Sequence, residues 1–135
     1  MLLASQAAQA ADEAGTIKVS NGQVSVQRDA QQLPATVGTR IFTNDRVVTG
    51  ADGSVGITLR DNTLLSAGPN SALDLNKFSF DSTTHAGTID ATVRRGTLSV
   101  ISGKIAKATP EGVRFSAPGM TLGVRGTSFL IDAGQ

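Results

Sequence analysis

Short apolar runs alternate with turn signals along residues 45–75. Successive runs of four to six residues begin eight or nine positions apart, and the segments between them are rich in Gly, Asp, Asn and Pro. The four runs are Arg46–Thr49, Ser54–Leu59, Thr63–Ser66 and Ser71–Leu75. Residues of the intervening types accept a positive φ or fix a bend, so each break has a physical cause. Strands this short and this closely spaced predict an all-β body rather than βαβ units.

Alternating residues on both sides of this stretch predict two hairpins. The two turns are Asn21-Gly22, a strong two-residue turn signal, and Arg95-Gly96. The flanking runs are Thr16–Val19 with Gln23–Arg28, and Thr88–Arg94 with Thr97–Ile101. We therefore expect each pair of runs to fold back on itself as two antiparallel strands.

Little of the chain is typical of helix. No stretch sustains a 3.6-residue period, and only Gly103–Ala108 fits one short helical turn, which Pro110 ends. Asp29–Pro34 is predicted to be a loop and Asn76–Gly87 an extended connection. The expected fold is a single compact all-β domain over residues 12–135, β-solenoid-like or a β-roll, with little helix.

The first eleven residues differ from the rest. Met1–Ala11 is rich in small residues and contains Ala8-Gln9-Ala10, directly before the acidic Asp12-Glu13. An Ala-x-Ala pattern followed by acidic residues is typical of the end of a secretory signal peptide. We therefore expect a clipped signal peptide, with a disordered tail as the alternative, and a periplasmic or secreted mature protein. No run approaches the roughly 20 apolar residues that span a bilayer.

Composition excludes several classes of function. Twelve basic residues against eleven acidic ones leave a net charge of +1, so bulk charge gives no reason to expect a nucleic-acid partner. Residues 88–135 are more basic, with six Lys and Arg against three acids. The chain has no Cys, Trp or Tyr. Disulfides and Cys-based metal sites are therefore excluded, and aromatic platforms for sugars or bases have little to be built from.

Candidate chemistry is sparse. His85 is the only histidine and has no neighbouring cluster with metal or nucleophile spacing, so we interpret it as a loop imidazole. Asp52-Gly53-Ser54 and Asp61-Asn62-Thr63 resemble calcium loops but lack the alternating acidic oxygens and the closing Glu, which favours Asx turns. Neither a nucleophile elbow nor a phosphate loop is present. The sequence therefore predicts a protein that is not an enzyme and uses no metal or cofactor.

One segment near the end of the sequence favours a specific role. Arg125 stands between two glycines in an apolar context, where an unpaired charge would be costly. We predict that its guanidinium is partly buried and pairs with a carboxylate, Asp45 or Asp61, with an exposed partner contact as the alternative. The candidate site residues are Gly123, Val124, Arg125, Gly126, Thr127, Asp45 and Asp61.

The chain resembles the FecR-domain family over residues 16–131. Gly123–Thr127 with Phe129 is similar to the Gly-Val-Arg-Gly-Thr signature that closes these domains, and Asn44–Ser54 is similar to a central stretch of the family. Further similar segments are Gly22–Val26, Asp61–Thr63 and Pro69–Ser71. Asn44 stands where the family usually has glycine, and Ala117-Pro118 stands where it usually has Thr-Pro.

The resemblance implies a β-solenoid-like extracytoplasmic module. The family's best-known members join a cytoplasmic anti-sigma helix bundle, one membrane span and a periplasmic FecR domain that contacts a receptor's signalling domain. These 135 residues show neither the bundle nor the span, so the resemblance does not imply sigma-factor control here.

Three functional hypotheses follow. The first is a non-catalytic interaction module that binds another envelope protein through exposed β-edges or the basic C-terminal face, with no nucleic acid, membrane span or small-molecule cofactor. The second is a module that binds cell-wall glycan, and the third is a hydrolase. The absence of Trp and Tyr favours the first over the second, because glycan stacking would need an exposed Phe.

Overall fold

The computed structural model describes residues 13–118, 120–123 and 128–134, the segment 120–123 by its backbone alone. It confirms the all-β class with little helix. The strands in these residues are β1 Glu13–Asn21, β2 Val24–Arg28, β3 Gln31–Pro34, β4 Arg40–Phe42, β5 Arg46–Thr49, β6 Ser54–Leu59, β7 Leu64–Ala67, β8 Ala72–Phe80, β9 Gly87–Ile101, β10 Val113–Ala117, β11 Met120–Gly123 and β12 Ser128–Gly134. One helix, α1 Lys104–Ala108, and one 3₁₀ turn, Pro110–Gly112, accompany them in the described part of the chain.

The strands form one curled sheet, a half-barrel with two layers joined by β9. Layer I has the order β4-β1-β6-β7-β9-β12 and uses the C-terminal half of β9. Layer II has the order β3-β2-β5-β8-β9-β10-β11 and uses the N-terminal half. Among the described pairs only β9 with β10 is parallel. This antiparallel arrangement does not confirm the solenoid-like or roll form that the sequence favoured.

The core lies between the two layers, because every second side chain of each strand points inward. In β6, Val55, Ile57 and Leu59 are buried while their neighbours are partly exposed. Phe115 of β10 is fully buried and packs edge to face with Phe129 of β12, with ring centroids 5.5 Å apart. One apolar cluster therefore connects residues from both layers.

The predicted hairpin over Asn21-Gly22 is wrong. β1 pairs with β4 and β6 in layer I, whereas β2 pairs with β3 and β5 in layer II. Gly22 has a φ of 66°, and a Cβ there would lie 2.1 Å from the carbonyl oxygen of Asp52. The turn thus packs against the β5–β6 turn, and the two strands diverge into separate layers.

The predicted hairpin over Arg95-Gly96 is also wrong, because β9 runs unbroken through it. Gly96 has a φ of 82°, and a Cβ there would collide with Ser71, which exchanges hydrogen bonds with the backbone of Thr97. Buried residues fall on odd positions up to Val93 and on even positions from Leu98. A bend that shifts the alternation by one residue moves β9 from layer II to layer I.

Two other expectations need correction and one is confirmed. Asp29–Pro34 is not only a loop: Asp29 and Ala30 form a turn with both φ values positive, and the remaining residues are strand β3. Asn76–Phe80 continues β8 and buries Phe78, so only the last part of the expected connection is a turn. The single helical turn ending before Pro110 is confirmed as α1.

Candidate functional site

Asp45 lies at one end of the molecule and connects the two layers. It is 1% exposed and accepts hydrogen bonds from Nε and Nη2 of Arg28, both 2.8 Å long, and from the N–H of Phe42. Arg28 also lies 4.7 Å above the Phe42 ring. The hydrogen bond to Asp45 raises the pKa of Arg28 against the opposing effect of burial. The carboxylate therefore fixes the turn before β5 to strand β2.

Asp61 lies in the β6–β7 turn and is fully buried. Its carboxylate accepts from the N–H of Thr63 at 3.1 Å, from Oγ1 of Thr63 at 2.8 Å and from the N–H of Ile105 at 3.0 Å. The Asp61 carbonyl accepts from the N–H of Lys104. Asp61 thus satisfies two free N–H groups at the start of α1, that of Ile105 with its carboxylate and that of Lys104 with its carbonyl. The Asx turn predicted at Asp61 is confirmed, whereas the carboxylate of Asp52 accepts from the N–H of Gln23 on the neighbouring turn.

The predicted ion pair of Arg125 stays a prediction. Val124, Arg125, Gly126 and Thr127 lie outside the described residues, and Gly123 is described only as the β11 residue opposite Arg114. Asp45 and Asp61 are both buried, as a structural role requires, but the structure does not bring them together as one site. Met1–Ala11, the predicted signal segment, also lies outside the described residues.

The outward side of layer II, which we call the polar face, gathers side chains that the sequence analysis missed. Strand register places Gln32, Gln27, Arg46 and Asp74 side by side across four neighbouring strands. We define the polar face by nine of these side chains, four arginines, three amides and two carboxylates: Arg46, Arg94, Arg95, Arg114, Gln27, Gln32, Asn76, Asp74 and Asp90. Lys77, opposite Asp90, and Asp29, in the β2–β3 turn, add one charge of each sign on the same side. The four arginines exceed the two carboxylates by two positive charges. A basic surface on rigid strands results.

Asp74 holds two of these arginines in place. Nε of Arg46 donates to it at 2.6 Å and Nε of Arg94 at 2.5 Å. Burial alone would raise the pKa of Asp74, but the hydrogen bonds from Arg46 and Arg94 outweigh it, and the net pKa is lowered. The same contact raises the pKa of Arg46. Nδ2 of Asn76 donates to Asp90 and to Thr92, which fixes the adjoining part of the polar face.

We expect the contact of Asp74 with Arg46 and Arg94 to make the free energy of unfolding depend on pH in acid. Because the folded pKa of Asp74 lies below the unfolded value of about 3.9, the carboxylate stabilises the fold above that pH and ceases to do so as pH falls. In urea unfolding at neutral pH, wild type should be more stable than Asp74→Asn by about 1 kcal/mol. The difference is this small because both arginines are partly exposed to solvent. The difference should shrink below pH about 4, and a difference that grows in acid would contradict the pairing.

Two adjoining grooves cross the polar face. One has a volume of about 470 Å³ and is lined by the β2–β3 hairpin, by Asn44 and by side chains around Arg46 and Asp74. The other, about 540 Å³, is lined by residues around Val48 and Arg95 and shares Gln27 and Gln32 with the first. Asn44 has a φ of 75°, which accounts for an asparagine where the related domains usually have glycine. The grooves give the polar face room for an approaching surface or chain.

Local sequence gives little signal for these residues. Arg28 and Asp45 are 17 positions apart and Arg46 and Asp74 are 28 apart, so their pairing depends on strand order. One usable signal is the alternation of apolar and polar residues, which places Gln27, Arg46 and Asp74 on the side of their strands opposite to the buried apolar neighbours. A second signal is the excess of basic residues after residue 88, which includes three arginines of the polar face: Arg94, Arg95 and Arg114.

Comparison with known proteins agrees with the motifs. In the described part of the chain, no helix has the length and apolarity to cross a bilayer. No curated protein matches the chain. A solved structure titled "Cell surface anchoring domain" is 34% identical, covers 45% of this chain and 82% of its own, and superposes with a TM-score of 0.44. The family model described as FecR protein matches residues 45–135, and the chain belongs to the FecR family.

Proposed function

We propose that the chain is a non-catalytic extracytoplasmic interaction module that binds another envelope protein through the polar face. Membership of the FecR family supports an interaction module outside the cytoplasm. The observation that carries the proposal is the pair of arginines Arg46 and Arg94, which Asp74 holds on neighbouring strands of the sheet. Arginine is enriched at the centres of protein interfaces, and side chains held in advance lose less entropy on binding.

The charge of the polar face indicates which kind of surface its partner should present. Arg95 and Arg114 are exposed on the polar face, and the arginines there outnumber the carboxylates by two. Because complementary potentials accelerate encounter and select partners, we expect an acidic surface on the partner protein. Binding should therefore weaken as salt concentration rises.

A glycan is the second candidate for the same face. The first groove is lined by Gln27, Gln31, Gln32, Asn44 and Asn76, and planar amides are suited to binding sugar hydroxyls. No aromatic side chain lines either groove in the described residues, so a sugar ring has no stacking surface there. This favours the protein partner over the glycan.

Capture from envelope extract tests the proposal with two matched charge changes. The full chain carrying Arg95→Glu and Arg114→Glu should lose its partner protein, because two positive charges on the polar face become negative. Lys104→Glu with Lys107→Glu changes the net charge equally on α1, and both lysines are exposed there. We expect this control to capture the partner as wild type does.

The outcomes separate the candidates. Equal loss of capture by both double variants would indicate a general charge effect and contradict a specific polar face. Retained capture by the Arg95 and Arg114 variant would exclude that face. Retention on purified cell-wall glycan, abolished by Gln27→Ala with Gln32→Ala, would instead support the glycan candidate.

A further inference from the structure

The outward side of layer I contrasts with the polar face. Strand register defines two adjacent rows across it. The first row is Thr58, Leu64, Ile101 and Ser128. The second row is Val19, Gly56, Ser66, Ser99 and Leu130. We call these nine residues the uncharged face, since none of them bears a charge.

Four of its side chains are large, aliphatic and exposed. Leu130 is 67% exposed, Val19 50%, Ile101 47% and Leu64 40%. Leu64, Ile101 and Leu130 lie on the neighbouring strands β7, β9 and β12 and form one patch. Val19 on β1 lies at the other end of the face, across β6. Contiguous apolar patches of this kind on soluble proteins mark interaction sites.

The two rows differ in height. Leu64 and Ile101 are neighbours on β7 and β9 and make a ridge in the first row. At the same two strands the second row has Ser66 and Ser99, and Gly56 continues it on β6, so the second row is a trough. Val19 and Leu130 stand at the two ends of that trough. The rows are two residues apart along each strand, or about 6.6 Å.

From this pattern we infer that the uncharged face docks a second copy of this chain. A two-fold axis in the plane of contact, parallel to the rows and midway between them, exchanges ridge and trough. Leu64 of one copy then lies over Ser66 of the other, and Ile101 lies over Ser99. Isologous contacts of this kind need a self-complementary surface, and two sheets meeting this way pack about 10 Å apart.

Charge also favours a second copy on this side of the molecule. The nine residues bring no charge into the contact, so none of them has to be desolvated as an ion. The polar face, with its excess of two positive charges, opposes contact between two copies. Charged side chains near these nine residues include Lys18, exposed at the bulge of β1 beside Val19, Arg40 on edge strand β4 and Asp132 beyond Leu130.

The size of the face limits the strength of the dimer. Five strands about 4.8 Å apart give a width of about 24 Å, and their length gives a height of roughly 15–20 Å. A few hundred Å² per copy is less than the roughly 800 Å² that a stable interface buries on each partner. We therefore expect a weak dimer that forms in the micromolar-to-millimolar range of protein concentration.

Sedimentation equilibrium of the full chain over that range tests the inference. Wild type should fit a monomer–dimer equilibrium, and Ser99→Glu should raise the dissociation constant by at least about tenfold, because each carboxylate would be buried against an aliphatic ridge. Ser79→Glu is the matched control: Ser79 is also exposed on a strand, but in layer II, and this variant should dimerise as wild type does.

Several results would overturn the inference. They are a wild type that stays monomeric throughout, a Ser99→Glu variant that associates as strongly as wild type, and assemblies that grow beyond the dimer. If Ser99→Glu loses its β-type circular dichroism, mixed cysteine variants decide instead. When the Ser99→Cys and Ile101→Cys proteins are mixed, the disulfide that joins one copy of each should form in higher yield than the disulfide that joins two copies of the same variant. Equal yields of the mixed and the same-variant dimers would contradict the docking.

The partner proposal and the dimer can fail independently. Ser99→Glu should still capture the envelope partner, whereas the Arg95 and Arg114 charge reversals should still dimerise. A single variant that abolishes both would indicate a folding defect, which circular dichroism detects.

Discussion

Asp61→Ala is expected to lower the free energy of unfolding by about 3–5 kcal/mol, since it leaves several buried donors without an acceptor. The N–H groups of Thr63 and Ile105 and the hydroxyl of Thr63 all donate to this carboxylate, which is 0% exposed. Alanine offers none of these acceptors. Far-UV circular dichroism in urea measures the effect, because the chain lacks Trp and Tyr for fluorescence.

Asp81→Ala is the matched control for this prediction. Asp81 makes the same local turn, with the N–H of the residue two positions later donating to its carboxylate, but it is exposed and accepts nothing from a distant strand or helix in the described structure. We expect a loss near 1 kcal/mol or less there. Asp61→Asn keeps one acceptor oxygen and should fall between the two. Equal midpoints for Asp61→Ala and Asp81→Ala would contradict the role of Asp61 in anchoring α1.

Asp45→Ala is expected to cost about 2–3 kcal/mol, less than the roughly 3–5 kcal/mol for a fully buried ion pair, because the Arg28 side chain that it leaves behind is 33% exposed. The change deprives the Arg28 guanidinium of both its carboxylate bonds and leaves the N–H of Phe42 without its acceptor. Arg28→Lys should lose part of the same stability, because an ammonium cannot reproduce the two parallel bonds. The urea midpoints of the three proteins measure both effects.

A double-mutant cycle separates this pair from its surroundings. Arg28→Ala and Asp45→Ala should be non-additive, with a coupling energy of about 1–3 kcal/mol for a contacting pair. Asp74→Ala removes a more exposed carboxylate from two partly exposed arginines, so it should cost less than Asp45→Ala. Additive losses for Arg28 and Asp45 would show that the bidentate contact contributes nothing to the fold.

The bounds of several strands could be predicted because the information was local. β5 and β6 match the sequence expectation residue for residue, since apolar alternation and glycine-rich turns define both. The two hairpin predictions were wrong because a turn signal indicates that the chain bends, but not which strands then pair with each other. For β9 the sequence did contain the answer: its apolar residues change from odd to even positions across Arg95-Gly96, as a bend within one strand requires.

The candidate site was predictable in part. Asp45 and Asp61 were chosen as the possible ion-pair partners of Arg125, and that pairing stays a prediction. The structure shows that both are buried and that each accepts hydrogen bonds from other groups. Arg28 was missed because its contact with Asp45 depends on the order of β2 and β5, which no local pattern gives. The polar face was missed for the same reason: residues from separate segments become neighbours only when strand register aligns them. The pairing predicted for Arg125 concerns a residue outside the described part of the chain.

Site-specific photo-crosslinking of the full chain in its native envelope tests the central claim most directly. A photoreactive residue replacing Gln32 on the polar face should yield an adduct with a different envelope protein. The same residue replacing Lys107 on α1 should yield no such adduct, and replacing Ser66 on the uncharged face should yield an adduct of two copies of this chain. If Gln32 gives no protein adduct, or if Lys107 gives the same one, the polar face is not the contact surface.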